Sequence, residues 1–273
     1  MIHFVTYHVD LKKHADGKVQ TNTLNTTEKI RWYLSYHGSE VDHKTMIDIL
    51  FASIDLHHPG SKKTILTDER TEFQLKDSSV QIQRGAVDSR QLILSRTKLQ
   101  LAFLEAQTDD DHVAFVDTDM ILNQSLDSIV SREFEIGLTY RPSKDMPING
   151  GLMFIHGSHR VKAIAFFRKF LEIFETIYSD QAVWWGDQSA LQDCCALDPK
   201  ALPDEDTVKT IPDGTRVLLL PCDRYNFRPR SRLDLLHTKQ RTILHFMSTT
   251  KRWMPFYWNL YSSRLGRRLV TLF

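Results

Sequence analysis

Cysteine is scarce in this sequence, with three residues among 273: Cys194, Cys195 and Cys222. An odd number cannot pair completely within one chain, and adjacent cysteines rarely form a disulfide with each other. A disulfide-stabilised scaffold is therefore not expected, and this cysteine usage favours a reducing compartment. We expect a cytoplasmic protein.

Long apolar runs are also missing. None approaches the roughly 18 residues that a membrane-spanning helix needs. The N-terminal stretch MIHFVTYHVDLKK lacks the basic and then apolar order of a signal peptide. We therefore expect any contact with a membrane to be peripheral, at its inner face.

Neither sign of charge is in excess, because 35 Lys and Arg residues balance 34 Asp and Glu residues. This balance argues against a surface built for nucleic acid. The hydrophobic fraction of 41% is that of an ordinary globular protein. The length allows one large α/β domain or two small ones. Since no repeat, low-complexity segment or Gly/Ser linker interrupts the chain, we predict a single domain.

Strand and helix patterns alternate along the first 120 residues or so. Strands are predicted at 2–9, 62–68, in VQIQRG and in HVAFV, and helices near Glu28, at 43–56 and at 90–107. This alternation predicts an α/β fold with a mostly parallel central sheet flanked by helices. Later strands are predicted in FEIGLTYR, PINGGLMFIHG, RVLLLPCDRYN and RTILHFM, and later helices in RVKAIAFFRKFLEIFETIYS and from Asp187 onwards.

The stretch HVAFVDTDMIL, residues 112–122, ends an apolar strand in Asp117 and Asp119. Residues i and i+2 of an extended segment share one side, so the two carboxylates face one place and repel each other. A divalent cation such as Mg²⁺ or Mn²⁺ would relieve that repulsion. In the alternative interpretation, Asp119 caps a turn and Asp117 accepts hydrogen bonds from loop amides. Ligands collect at the carboxyl ends of parallel strands, where Thr6 and Tyr7 are also expected.

Four motifs follow one another in the order FVDTDMIL, INGGLMFI, GDQSAL and HFMSTTKRW. Together they resemble the GT-A glycosyltransferases, most of all the family of glycogenin and the bacterial lipooligosaccharide galactosyltransferases, glycosyltransferase family 8. The resemblance covers roughly residues 90–255. It implies one Rossmann-like GT-A domain over residues 1–257, with a nucleotide-binding half at 1–122 and an acceptor-binding half at 123–257.

The resemblance also implies a role for individual residues. The metal ligands are Asp117, Asp119 and His245, a set that suits Mn²⁺ better than Mg²⁺. Lys98 and Lys251 contact the donor phosphates, and Asn149, Gly150 and Gly151 contact the donor sugar. Asp187 and Gln188 are the catalytic pair, with Asp187 bonded to the transferred sugar and Gln188 near the reacting carbon. Plain alternatives stay open: a core histidine, solvated lysines, a hairpin turn at 149–151 and a helix cap at Asp187.

Two positions depart from the family pattern. Ser248 stands where the family has glycine, three residues after His245, and Arg252 stands where it has proline. We therefore expect the diphosphate-binding loop to differ in shape.

The resemblance implies transfer of a hexose from a nucleotide-diphosphate sugar, UDP-linked, to a saccharide or glycolipid acceptor such as a bacterial surface glycan, with retention of configuration. One alternative is a sugar-1-phosphate nucleotidyltransferase, but VTYHVDLKKH has no glycine directly after the first strand. A binding protein that keeps only the fold would lose a metal ligand or the Asp-Gln pair. An effector that glycosylates a protein is left open.

Aromatic and basic residues mark two further regions. Trp184, Trp185 and CDRYNFRP, residues 222–229, are candidates for the acceptor site, since aromatic rings stack on sugar faces. A Tyr225–Asn226 turn matches the family weakly. The C-terminal tail, residues 258–273, continues a basic and aromatic segment without acidic residues. Such a segment suits an anionic membrane surface, and a packed C-terminal helix is the alternative.

Overall fold

The computed structural model describes residues 1–11, 41–142, 147–182, 185–198, 203 and 205–263. Its strands are β1 (Ile2–Tyr7), β2 (Lys62–Thr67), β3 (Gln81–Arg84), β4 (His112–Val116), β5 (Met120–Leu122), β6 (Ile136–Tyr140), β7 (Ile148–Ile155), β8 (Thr207–Thr210), β9 (Arg216–Pro221) and β10 (Ile243–His245). Its helices are α1 (His43–His57), α2 (Leu92–Ala106), α3 (Asp127–Val130), α4 (Arg160–Ile177), α5 (Gly186–Cys195), α6 (Cys222–Tyr225) and α7 (Met254–Ser262).

Eight strands form the central sheet in the order β3-β2-β1-β4-β7-β6-β9-β8. The pairs β1–β2, β1–β4, β2–β3 and β6–β9 are parallel, while β4–β7, β6–β7 and β8–β9 are antiparallel. The interior strands are buried along nearly their whole length, as expected for a sheet that helices cover on both faces. The α/β fold with a mostly parallel sheet is confirmed.

The direction of β7 places polar residues at the ligand edge of the sheet. Because β7 runs opposite to β4, its first residues lie beside the carboxyl end of β4. Val116 pairs with Leu152, and the amide of Asp117 donates to the carbonyl of Gly151 at 3.0 Å. Asn149, Gly150 and Gly151 belong to β7, which agrees with the strand predicted in PINGGLMFIHG and excludes the alternative of a hairpin turn at 149–151.

Two aromatic layers fill the space between the sheet and its helices. On one face, Phe103 of α2 and Phe167 of α4 both meet Phe115 of β4, with ring centroids 6.1 and 5.8 Å apart. On the other face, Phe4 and Phe51 belong to a second buried cluster, in which α1 covers the sheet. Burying each such ring stabilises the fold by about 2–3 kcal/mol.

A small antiparallel pair, β5–β10, lies beside the main sheet and carries His245 opposite Met120. Asn123, directly after β5, joins this pair to its surroundings. Its side chain donates to the carbonyls of Thr238 and Arg241, each at 2.8 Å, and accepts from the Tyr257 hydroxyl at 2.9 Å. This buried amide therefore fixes the segment that leads into β10.

Most predicted elements are present, with shifts at their ends. The strand predicted in RVLLLPCDRYN ends at Pro221, and α6 follows. The short elements β5, β8 and α3 were not predicted, because three or four residues carry too little periodicity. The helix expected near Glu28 lies outside the described residues.

The predicted C-terminal tail begins inside α7, where Tyr261 is buried and donates to the carbonyl of Asn123 at 2.9 Å. Residues 264–273 lie outside the described part of the chain. No helix in the described ranges combines the length and apolarity needed to cross a bilayer.

Replacing Asn123 with Ala should lower the free energy of unfolding by about 3 kcal/mol, since it removes three hydrogen bonds of a buried amide, to Thr238, Arg241 and Tyr257. Urea unfolding followed by circular dichroism measures this. The control is the exposed Asn259→Ala in α7, which should change stability by less than about 0.5 kcal/mol. Equal effects of the two substitutions would contradict the role of Asn123.

Candidate active site

A cleft opens at the carboxyl edge of β1 and β4, where both chain segments leave the sheet. Its described lining includes Tyr7 and His8 after β1, the Asp117–Asp119 turn after β4, and the start of β7. Residues from α2, α5 and the loop after β10 close its other sides. The edge predicted to bind ligand is therefore concave.

Asp117, Asp119 and His245 meet in this cleft. One potential ligand atom from each lies within 4.8 Å of the others. His245 Nε2 is 3.0 Å from Asp119 Oδ1 and 3.6 Å from Asp117 Oδ2. The structure thus brings together three residues that span almost 130 positions of the sequence, as the resemblance implies.

Hydrogen bonds from Asn226 orient the imidazole of His245. The Asn226 amide nitrogen donates to Thr139 Oγ1 at 3.0 Å and to Asn149 Oδ1 at 2.8 Å, so its oxygen faces His245 Nδ1 at 2.7 Å. This network assigns the proton to Nδ1 and leaves the lone pair of Nε2 directed at the carboxylates. Three acceptor atoms then face one another, an arrangement that a divalent cation stabilises. The donor set therefore fits Mn²⁺.

The two aspartates have different surroundings. Burial raises the pKa of Asp117, although the nearby Arg96 guanidinium opposes it. Burial also acts to raise the pKa of Asp119, but the Lys251 ammonium group outweighs it and holds that pKa well below its usual range. Lys251 Nζ lies 3.1 Å from Asp119 Oδ2, the oxygen that does not face His245. Asp119 is therefore ionised at neutral pH.

Arg96 connects the cluster of Asp117, Asp119 and His245 to Asp187. Its guanidinium donates from Nη1 to Asp117 Oδ1 at 3.1 Å and from Nη2 to Asp187 Oδ2 at 2.5 Å. The side chain is only 12% exposed, so these two charge-assisted bonds hold both carboxylates in place. Arg96 is not among the site residues that the sequence motifs predict.

Lys98, predicted to contact the donor, lies outside the cleft. Positions 96 and 98 are separated by about 200° around a helix, so only one of them can face Asp117. Lys98 instead forms an ion pair with Glu175 of α4, with Nζ 2.7 Å from Oε1. The structure places Arg96 where the resemblance had placed Lys98.

Glycines at 150 and 151 permit a close approach of side chains from other elements. A Cβ on Gly150 would lie 2.7 Å from Asp187 Oδ2. A Cβ on Gly151 would lie 2.9 Å from both Asp117 Oδ2 and His245 Cε1. The strand therefore needs glycine at these positions for the carboxylates and the imidazole to converge.

The catalytic pair predicted at the start of α5 lines the same cleft. Asp187 is buried and lies within the first turn, after Trp185, so it does not cap the helix. Gln188 Oε1 is buried and has no hydrogen-bond partner among the described residues. Trp185 also lines the cleft, in a left-handed conformation with φ of 70°. Trp184 lies outside the described residues.

The residues after β1 divide between the cleft and the sheet. Tyr7 lines the cleft, whereas Thr6 is 1% exposed and lies outside it. His8 and His43 face each other in the cleft with ring centroids 4.2 Å apart. Burial lowers the pKa of His8 to about 3 and that of His43 to about 4. Both imidazoles are therefore neutral at pH 7.

Ser248 occupies the position at which the family pattern has glycine. Its φ of 53° lies in the left-handed region, which glycine adopts without strain. The loop thus keeps a glycine-type backbone in spite of the serine, and its neighbours Met247 and Lys251 line the cleft. The expectation that the diphosphate-binding loop differs in shape from that of the family stays a prediction.

The chain resembles solved glycosyltransferases in its fold. GlyE of Streptococcus pneumoniae TIGR4 superposes with a TM-score of 0.54 at 15% identity, over 100% of this chain and 63% of GlyE. The galactosyltransferase LgtC, solved with donor and acceptor sugar analogs, gives 0.52 at 13% identity, over 98% and 96% of the two chains. A glycosyltransferase involved in glycosylation of the PBCV-1 major capsid gives 0.51 at 12% identity, over 94% and 98%.

No family model matches the sequence, and no curated protein matches it. The chain spans about 63% of the length of GlyE. The structural likeness shows that the chain has the GT-A glycosyltransferase fold, as the motifs predicted.

Replacing Gly151 with Ala should weaken Mn²⁺ binding at least about tenfold, since the new methyl group pushes apart the imidazole and a carboxylate. Isothermal titration with Mn²⁺ measures the change. Gly137→Ala is the matched control, because its Cβ would meet Phe154 Cβ at 2.9 Å, away from the carboxylates. It should lower stability and leave Mn²⁺ affinity unchanged; weakened binding in the control would contradict the assignment.

Replacing Arg96 with Gln should reduce donor turnover at least about a hundredfold, since the carboxylates of Asp117 and Asp187 lose their shared cation. Lys98→Gln removes only an exposed ion pair and should change turnover less than about twofold. The turnover of both variants is measured as the rate at which UDP is released from a UDP-sugar. The reverse order of effects would favour the placement of Lys98 that the resemblance implied.

Proposed function

We propose that the chain is a metal-dependent glycosyltransferase that transfers a hexose from a UDP-sugar to a saccharide acceptor with retention of configuration. The convergence of Asp117, Asp119 and His245 beside Lys251 carries this proposal. It lies at the ligand edge of a sheet that has the fold of glycosyltransferases. One of these, LgtC, was solved with donor and acceptor sugar analogs.

The metal ligands and Lys251 define a place for the donor diphosphate. A bound Mn²⁺ would stabilise the negative charge that develops on the leaving nucleoside diphosphate. Lys251 approaches Asp119 from the oxygen remote from His245, so its ammonium group can contact a phosphate beside the metal site. Both carboxylates stay ionised when a cation binds, because each faces positive charge from Arg96 or Lys251.

The opposite wall of the cleft supplies groups for the transferred sugar. Asp187, held by Arg96, can accept hydrogen bonds from sugar hydroxyls, and Asn149 of β7 lines the same cleft. The Gln188 oxygen has no partner among the described residues and is suited to accept a further hydroxyl.

Retention of configuration is most simply explained if the acceptor oxygen attacks the sugar from the face that the leaving phosphate occupies. A carboxamide is a poor nucleophile, so Gln188 is not expected to form a covalent intermediate. In the proposed reaction, the bond from the anomeric carbon to the phosphate oxygen breaks as the acceptor oxygen bonds to that carbon. The proton of the acceptor hydroxyl passes to the leaving phosphate.

We further propose a bacterial surface glycan or glycolipid as the acceptor, with Trp185 as a stacking surface at the cleft. The nucleotide-binding half, residues 1–122, would hold the donor, and the acceptor-binding half, 123–257, the saccharide. Residues from 258 onwards would contact the inner membrane face, because they are basic and aromatic without acidic residues.

Replacing Asp119 with Asn should reduce Mn²⁺-dependent hydrolysis of a UDP-sugar at least about a hundredfold, since even indirect metal contacts change activity by 10–100-fold. Phosphate-coupled detection of UDP measures the rate, with and without EDTA. Asp127→Asn is the control, because this carboxylate is 79% exposed and remote from the cleft. Wild-type activity of Asp119→Asn in EDTA would refute the proposed function.

A further inference from the structure

A second groove adjoins the cleft on the far side of β7. Asn149 and Met247 line both cavities, so the groove continues from the place proposed for the donor sugar. Asn226, which orients His245, also lines the groove. A molecule in the groove can therefore extend towards the reacting carbon.

The two cavities carry opposite charge. In the cleft, Arg96 and Lys251 face three carboxylates, those of Asp117, Asp119 and Asp187, which gives a negative balance. The described lining of the groove has four arginines against two aspartates: Arg141, Arg228, Arg230 and Arg241 with Asp223 and Asp234. The cleft is thus suited to a cation, and the groove to an anion.

Both groove aspartates have roles in shaping its wall. The Asp223 carboxylate forms an ion pair with the guanidinium of Arg241. The same guanidinium lies over the Phe227 ring, 4.4 Å from the ring centroid. The Asp234 carboxylate accepts hydrogen bonds from the backbone amides of Arg230 and Ser231, at 2.6 and 3.0 Å. Their negative charge is therefore partly neutralised within the wall, while the exposed Arg228 and Arg230 add positive charge to the same groove.

The groove also has features suited to a saccharide. The half-buried Phe227 and Pro221 and the exposed Pro142 line it and offer apolar surface on which sugar rings can pack. A concave shape with rings and arginines fits a chain of sugars better than a flat lipid surface. Guanidinium groups match carboxylate and phosphate oxygens in pairs, more specifically than ammonium groups do.

We propose that the acceptor is an anionic saccharide, whose carboxylate or phosphate group is bound by the arginines of this groove. This inference rests on the proposed function, because it names the acceptor class for the same site. The acceptor hydroxyl then reaches the cleft past Asn149, while the anionic group stays near Arg228 and Arg230. The donor diphosphate remains with Lys251 and the metal ligands.

Wild-type enzyme with Mn²⁺ and a UDP-hexose is tested on matched methyl glycosides: glucoside against glucuronide, and galactoside against its 6-phosphate. The charged member of at least one pair should have a kcat/KM at least about tenfold higher. The two pairs distinguish carboxylate from phosphate. UDP-sugar hydrolysis without acceptor is measured in parallel, so that an inactive glycosyltransferase is distinguished from one without charge preference.

The double variant Arg228→Gln/Arg230→Gln should lose most of the preference for the charged acceptor, chiefly through KM. Arg232→Gln, an exposed arginine of the same loop outside the groove, should keep it. In wild type, 1 M NaCl should reduce the preference by screening. Equal kcat/KM for neutral and charged acceptors, or a preference unchanged in the double variant, would overturn the inference. Arginine-dependent binding to anionic vesicles without a preference among the glycosides would also overturn it, in favour of a lipid surface.

Discussion

Electrostatic repulsion between three acceptor atoms governs this site. Asp117, Asp119 and His245 direct oxygen and nitrogen lone pairs at one point, and the amide of Asn226 prevents the imidazole from turning its proton inward. Such an arrangement is stable only with positive charge nearby. The protein supplies part of it through Arg96, which pairs with Asp117, and Lys251, which pairs with Asp119. A divalent cation would supply the rest, so metal and donor diphosphate have adjoining places.

The architecture explains why these residues converge. Parallel strands β1 and β4 deliver their carboxyl ends to one edge, and the reversed strand β7 contributes its first residues to that edge. Glycine at 150 and 151 removes the side chains that would separate Asp187, Asp117 and His245. Beyond β7 the charge changes sign in the arginine-lined groove. One strand therefore separates a cavity suited to a cation from a cavity suited to an anion.

The sequence predicts the fold and the convergence of Asp117, Asp119 and His245, because long periodic segments and an ordered set of motifs carry that information. It fails where the answer depends on the direction of a side chain. Arg96 and Lys98 are both cations on one helix, and only the helix phase decides which faces the cleft. Side chains alternate between the two sides of a strand, so Tyr7 lines the cleft whereas its neighbour Thr6 is buried outside it. Asn226 belongs to a motif that matches the family only weakly. Its role comes from its contacts with Thr139 and His245, which are distant from it in the sequence.

The distance along the chain between the cluster's members has a consequence for folding. His245 contacts Asp119 across 126 residues, and Arg96 reaches Asp187 across 91. Closing such long loops costs entropy before any contact is made, so pairings of this kind form late. A ligand that binds only the completed cluster would stabilise the native state against unfolding by mass action. The supply of metal would then affect the lifetime of the folded chain as well as its chemistry.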